Sequence, residues 1–166
     1  MTHQWAKGTA RVTAKKRNFA WVNRPATVMA LSIRLFAHQA YIERRGRPLS
    51  VADLTGHCLI GFDRDDRSVR GIDLQDLPVT RESFAFRSDN DLVQMAALRA
   101  GLGIAGCQTG LARRHGALTP VLHEMIRFAL EMWLVMHEDQ RLDRRVRLLF
   151  DHLATALGAY IAECAM

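Results

Sequence analysis

The alternation of short apolar runs with helical segments between residues 83 and 122 constrains this chain more than any other feature of its sequence. Ser83–Arg87 reads as a strand, Asn90–Ala100 as a helix, Gly103–Gly106 as a strand, Thr109–His115 as a helix and Leu118–Leu122 as a strand. Strands and helices in that order form βαβ units, which imply an α/β domain with a parallel or mostly parallel sheet. At 166 residues the chain is one domain or slightly more. With 49% apolar and 24% charged residues it is neither wholly disordered nor fibrous. No apolar run approaches the roughly 18 residues of a membrane-spanning helix.

The flanking sequence extends this pattern. Leu31, Ile33 and Leu35 alternate with Ser32 and Arg34 before Phe36 and Ala37, a strand one-sided at its start and buried at its end. His38–Arg45 reads as a short helix stopped by Gly46 and Pro48, followed by a helical turn capped by Ser50, a strand over His57–Phe62 and, over Asp63–Asp76, a solvated loop with or without a turn of helix. Phe128–Met136 reads as a strand with Trp133 in the core. In the closing helix, Arg144–Glu163, Val146, Leu149, Phe150, Leu153, Leu157, Tyr160 and Ile161 form one continuous apolar face.

The formal charge of +6 is confined to one end. Residues 1–30 hold Lys7, Arg11, Lys15, Lys16, Arg17 and Arg24 and no acid; the 23 Lys and Arg less those six leave 17, balanced by 17 Asp and Glu. The body is therefore neutral, and a basic nucleic-acid face would have to be clustered on it. Residues 1–30 read as a disordered basic tail. It is not a secretory signal, because Asn23, Arg24 and Pro25 interrupt its apolar stretch.

Candidate chemistry concentrates in Phe84–Cys107. Ser88, with Asp91 three residues on, makes a capping-box pattern; Leu92, Met95 and Ala96 would face the sheet, and Gly101 suits a left-handed helix end. Ser88–Asn90 and Gly106–Thr109 both follow carboxyl ends of strands and open helices. Open α/β sheets bind ligands at that edge, where helix-start amides favour anions. Ser88, Asp89, Asn90, Gly106 and Cys107 are the candidate effector-binding residues, with ordinary capping as the competing reading. Cys107 beside the helix start at Thr109 would have a lowered thiol pKa if reactive; the competing reading is a small turn filler. The glycines of 101–106 follow a helix and open a strand, the reverse of a dinucleotide fingerprint. No HExxH or GxSxG occurs, so neither an enzyme nor a catalytic or metal site is indicated. Cys58, Cys107 and Cys164 lack CxxC spacing and read as small apolar residues of a reducing compartment.

Taken in order, Leu35-Phe-Ala-His38, Tyr41-Ile-Glu-Arg-Arg-Gly-Arg-Pro48, Asp53-Leu-Thr-Gly-His57, the Phe84–Cys107 segment, Leu130-Glu-Met-Trp-Leu-Val-Met-His137 and Val146–Leu157 resemble the effector-binding domain of LysR-type transcriptional regulators. The resemblance spans residues 31–160 and rests on the ordered set rather than on one motif. It implies a type 2 periplasmic-binding-protein-like α/β fold of two subdomains with a small effector in the cleft between them. Here the second subdomain and the returning C-terminal strand and helix would be present and the first subdomain largely missing. The family's chains begin with a winged helix-turn-helix, which residues 1–30 do not resemble, so an N-terminally truncated copy is expected. The implied function is a fragment of a cytoplasmic regulator that keeps its effector region. The effector would be anionic or aromatic, with no cofactor and no membrane contact. The implied partners are a second copy or a full-length relative. The alternative is a stand-alone small-solute-binding module, or a non-functional remnant with no role in transcription.

With its excess positive charge confined to residues 1–30, the chain should show no sequence-specific DNA binding, and any retention on DNA should fall steeply with salt. Footprinting at physiological salt checks this; protection of one operator contradicts it.

Overall fold

The computed structural model describes residues 27–64 and 79–165. The basic tail up to residue 26 and most of the charged loop expected over Asp63–Asp76 lie outside the described residues. One sheet of six strands organises the rest: β1 (Thr27–His38), β2 (Leu59–Gly61), β3 (Phe84–Arg87), β4 (Ile104–Gln108), β5 (Leu118–Val121) and β6 (Phe128–Leu134). Their order is β3-β2-β4-β1-β5, with β6 also paired to β1. Four helices accompany them: α1 (Gln39–Arg45), α2 (Asp91–Arg99), α3 (Thr109–Arg114) and α4 (Arg144–Ala165). None of the described helices is long and apolar enough to cross a membrane.

The sheet is mixed rather than mostly parallel. β2 runs parallel to β3 and β4, as the βαβ order requires, but β1 is antiparallel to β4, β5 and β6. The difference comes from β1, which precedes the alternating segment and enters from the opposite direction. It is also longer than its alternation suggests, starting at Thr27 rather than Leu31, because β6 pairs with it from Thr27 to Ile33.

Side-chain alternation along β1 divides the core. On one face Leu35 and Ala37 pack with Leu59, Ile104 and Val121 under Tyr41 and Leu54. On the other, Phe36 packs with Ile60, Ala105 and Cys107, and Leu98 of α2 and Ala112 of α3 close over them. The Tyr41 hydroxyl accepts from the Cys58 amide at 2.9 Å and lies 3.1 Å from His57 Nδ1, tying α1 to the start of β2. Trp133 is half-buried on β6 opposite Val28.

The expected rotation of α2 is corrected. Leu92 is 80% exposed and Ala96 is also outside, while Gln94 and Leu98 are buried. The buried Gln94 amide donates to the Ser88 carbonyl at 2.6 Å, and a buried amide without such a partner would cost about 1–3 kcal/mol, so this bond sets which face points inward. α4 packs on β1 and α3, where Arg113 donates to the Glu163 carbonyl at 2.7 Å and Arg114 stacks over the Tyr160 ring. Along the expected apolar face Phe150, Leu157, Tyr160 and Ile161 are half-buried, but Leu149 remains 58% exposed.

Gly101 has φ +69°, the left-handed helix end expected there. Gly103 has a different reason: a Cβ would collide with the Cys58 carbonyl, which accepts from the Ile104 amide at 2.8 Å where β4 joins β2. Gly103→Ala should therefore destabilise the fold by about 1–3 kcal/mol, read as a lower urea midpoint with unchanged slope.

Candidate functional site

The carboxyl ends of β2, β3 and β4 converge where α2 and α3 begin, and a cavity of about 440 Å³ opens at this edge. Ile33 and Leu35 of β1, Phe84, Ile104, Phe128 and Leu130 supply an apolar wall along the sheet. Leu92 and Met95 of α2 and Leu111 of α3 form the rim. Asp91, Gln94 and Gln108 bring polar atoms, and among the described residues that line the cavity there is no Lys, Arg or His.

The five residues singled out from the sequence divide in two. Ser88, Asp89 and Asn90 hold the strand-to-helix turn together. The Ser88 amide donates to the Gly61 carbonyl at 3.0 Å and its Oγ accepts from the Asn90 amide at 3.2 Å. Asp89 Oδ1 accepts from the amides of Asp63 and Arg64 at 3.2 and 3.1 Å, and Oδ2 lies 3.3 Å from Arg64 Nε. The helix cap is Asn90, not Ser88: its Oδ1 accepts from the amides of Leu92 at 2.9 Å and Val93 at 3.4 Å. Ser88 is displaced from that role because its oxygens already serve Asn90 and Gln94.

Gly106 and Cys107 do line the cavity. They stand inside β4 rather than in a turn, because pairing of Ile33 with Gln108 extends the strand to the first residue of α3. Cys107 is buried, its Sγ 3.4 Å from the Gln108 carbonyl, and burial pushes its thiol up to about 11, the reverse of what a reactive cysteine needs. Sequence reasoning missed Gln108, which lines the cavity and whose side chain does not cap α3. Its position at the junction of strand and helix was the available signal. Leu92 and Met95 were recognised as apolar, but their placement at the rim follows from the rotation of α2.

The carboxyl edge of this α/β sheet thus carries an apolar cavity with Gln94 and Gln108 among its lining residues. The chain belongs to the LysR substrate binding domain family, which matches residues 27–158. Among solved structures it resembles the regulatory domain of CrgA, a LysR-type transcriptional regulator from Neisseria meningitidis, at a TM-score of 0.68 and 22% identity, covering 87% of this chain and 72% of that one. The full-length Vibrio cholerae virulence activator AphB matches at 0.57 and 18% identity, over 81% of this chain and 50% of that one. The effector domain of AmpR of Pseudomonas aeruginosa matches at 0.56 and 16%, over 84% and 68%. The chain thus spans about half the length of full-length CrgA, 51%. No curated protein matches it.

A thiol whose folded pKa lies above its unfolded value of 9.0 contributes stability below that pH, and the contribution is lost as pH rises towards about 11. At pH 8 Cys107 should therefore resist iodoacetamide at least about tenfold longer than the half-buried Cys58. Peptide mapping of the folded chain checks the order; earlier labelling of Cys107 contradicts it.

Proposed function

We propose that the chain is the effector-sensing part of a LysR-type transcriptional regulator in the cytoplasm, and that its effector is a small aromatic molecule held at the carboxyl edge of the sheet. Membership of the family supports the role, and the cavity supports the choice of ligand. Its volume falls in the range of about 300–1,000 Å³ usual for small-molecule sites. Its wall is apolar, and Gln108 offers one donor and one acceptor to a polar end of the ligand. The apolar lining, with no Lys, Arg or His among its described residues, favours a neutral aromatic over an anion.

In this reading Gly106 and Cys107 form the floor. Ser88, Asp89 and Asn90 act indirectly by fixing the start of α2, which carries Leu92 and Met95. The working assembly includes a second copy of the chain or a full-length relative. Alone, the chain binds weakly, because an open cavity excludes little water.

Gly106 provides the test. A Cβ there meets only Ile33 Cγ2 at 3.7 Å, so Gly106→Val fills the cavity from a strand position that tolerates a branched side chain. Benzamide should bind the wild type more tightly than benzoate in titration calorimetry. Gly106→Val should weaken benzamide by at least about tenfold while changing stability by less than about 1 kcal/mol. Equal binding of either compound to both proteins overturns the assignment.

A further inference from the structure

Gln94 uses one end of its side-chain amide and leaves the other end unused. It stands on the inward face of α2, one turn before Leu98, and is only 8% exposed. Its Nε2 donates to the Ser88 carbonyl at 2.6 Å. A carbonyl only accepts, so the nitrogen and not the oxygen must face Ser88, and the orientation of the amide is fixed. Oε1 has no hydrogen-bond partner among the described residues, but it is not sealed inside the protein. The open space that Gln94 borders is the cavity at the carboxyl edge of the sheet.

Packing alone would place an apolar residue here. Leu98, on the same face of α2, is apolar and fully buried, and Ile60, Met95 and Ala105 line the same cavity as Gln94. A buried amide is costly unless both of its ends are paired, and the Ser88 bond pairs only the nitrogen. The oxygen is left as an acceptor whose direction is set before any ligand arrives. Such preorganisation spares the ligand the cost of ordering the side chain that receives it.

We propose that Gln94 Oε1 is the specificity-determining acceptor of the cavity, and that it selects neutral aromatic ligands carrying an N–H or O–H donor, such as carboxamides, anilines and phenols. This rests on the reading of the cavity as the effector site. A ligand donor completes the hydrogen bonding of the amide. An aromatic ketone of the same shape leaves Oε1 unpaired while displacing the water around it, and a carboxylate sets one acceptor against another. Ser88 then contributes through its backbone carbonyl, which aims Gln94, rather than through its hydroxyl.

Benzamide and acetophenone, which differ by an amino group in place of a methyl, are titrated into the whole chain by calorimetry. The wild type should bind benzamide at least about tenfold more tightly. Gln94→Met removes the acceptor at nearly constant volume and should cut that preference to less than about twofold, chiefly by weakening benzamide. Gln108→Leu alters the other amide at the lining and should keep a preference of at least about fivefold. Thermal unfolding reports whether Gln94→Met folds, and where it does not, the wild-type preference and its persistence in Gln108→Leu decide. Equal binding of the two compounds to the wild type, a preference that survives Gln94→Met, or one that disappears in Gln108→Leu overturns this inference and leaves the cavity assignment standing. Failure of benzamide to bind at all overturns the effector reading and this inference together.

Discussion

Pairing of β1 along both of its edges is the constraint on which the rest of the structure depends. Ile33 is the partner of Gln108 on one side and Phe128 on the other, and Phe36 is the partner of both Ala105 and Pro120. A backbone buried in mid-sheet must satisfy its donors and acceptors there, so these ladders fix β4, β5 and β6 against one strand. The same strand then decides what lies on each side of the sheet. Ile33 and Leu35 give the cavity its apolar wall, and Phe36 anchors the layer under α2 and α3.

Two buried polar groups set the finer geometry. Tyr41 is satisfied by the Cys58 amide and His57, which positions the start of β2 against α1. Gln94 is satisfied by the Ser88 carbonyl, which sets the rotation of α2 and leaves Leu92 and Met95 at the rim of the cavity. A buried polar group has few acceptable partners, so each of these bonds selects one arrangement where apolar packing alone would tolerate several. Ser88, Asp89 and Asn90 belong to this scaffolding: their hydrogen bonds run to the turn itself and to the chain leaving β2.

Family membership and a shared fold do not by themselves choose a ligand. At identities of 22% or less, the CrgA, AphB and AmpR structures share the path of the chain with this protein. An apolar wall with no Lys, Arg or His among its described residues describes a different ligand from one read off the helix starts alone. Helix-start amides suggest an anion from sequence, but in α2 the Asn90 side chain already occupies those of Leu92 and Val93.

The sequence by itself determined the kind and order of the described elements from β1 to α4. Their boundaries are set by local chemistry, namely alternation in β1, Gly46 and Pro48 after α1, Gly101 after α2 and the heptad-like spacing in α4. It also carried the family, through motifs strung along the chain in a fixed order. Only the tertiary structure decided that β1 runs antiparallel to its neighbours, that Asn90 rather than Ser88 caps α2, that Gln94 rather than Leu92 is buried, and that Gly106 and Cys107 are strand residues. The direction of β1 and the strand placement of Gly106 and Cys107 depend on partners far away in sequence, such as Gln108 for Ile33, and a local pattern holds no record of which distant strand will complete a ladder.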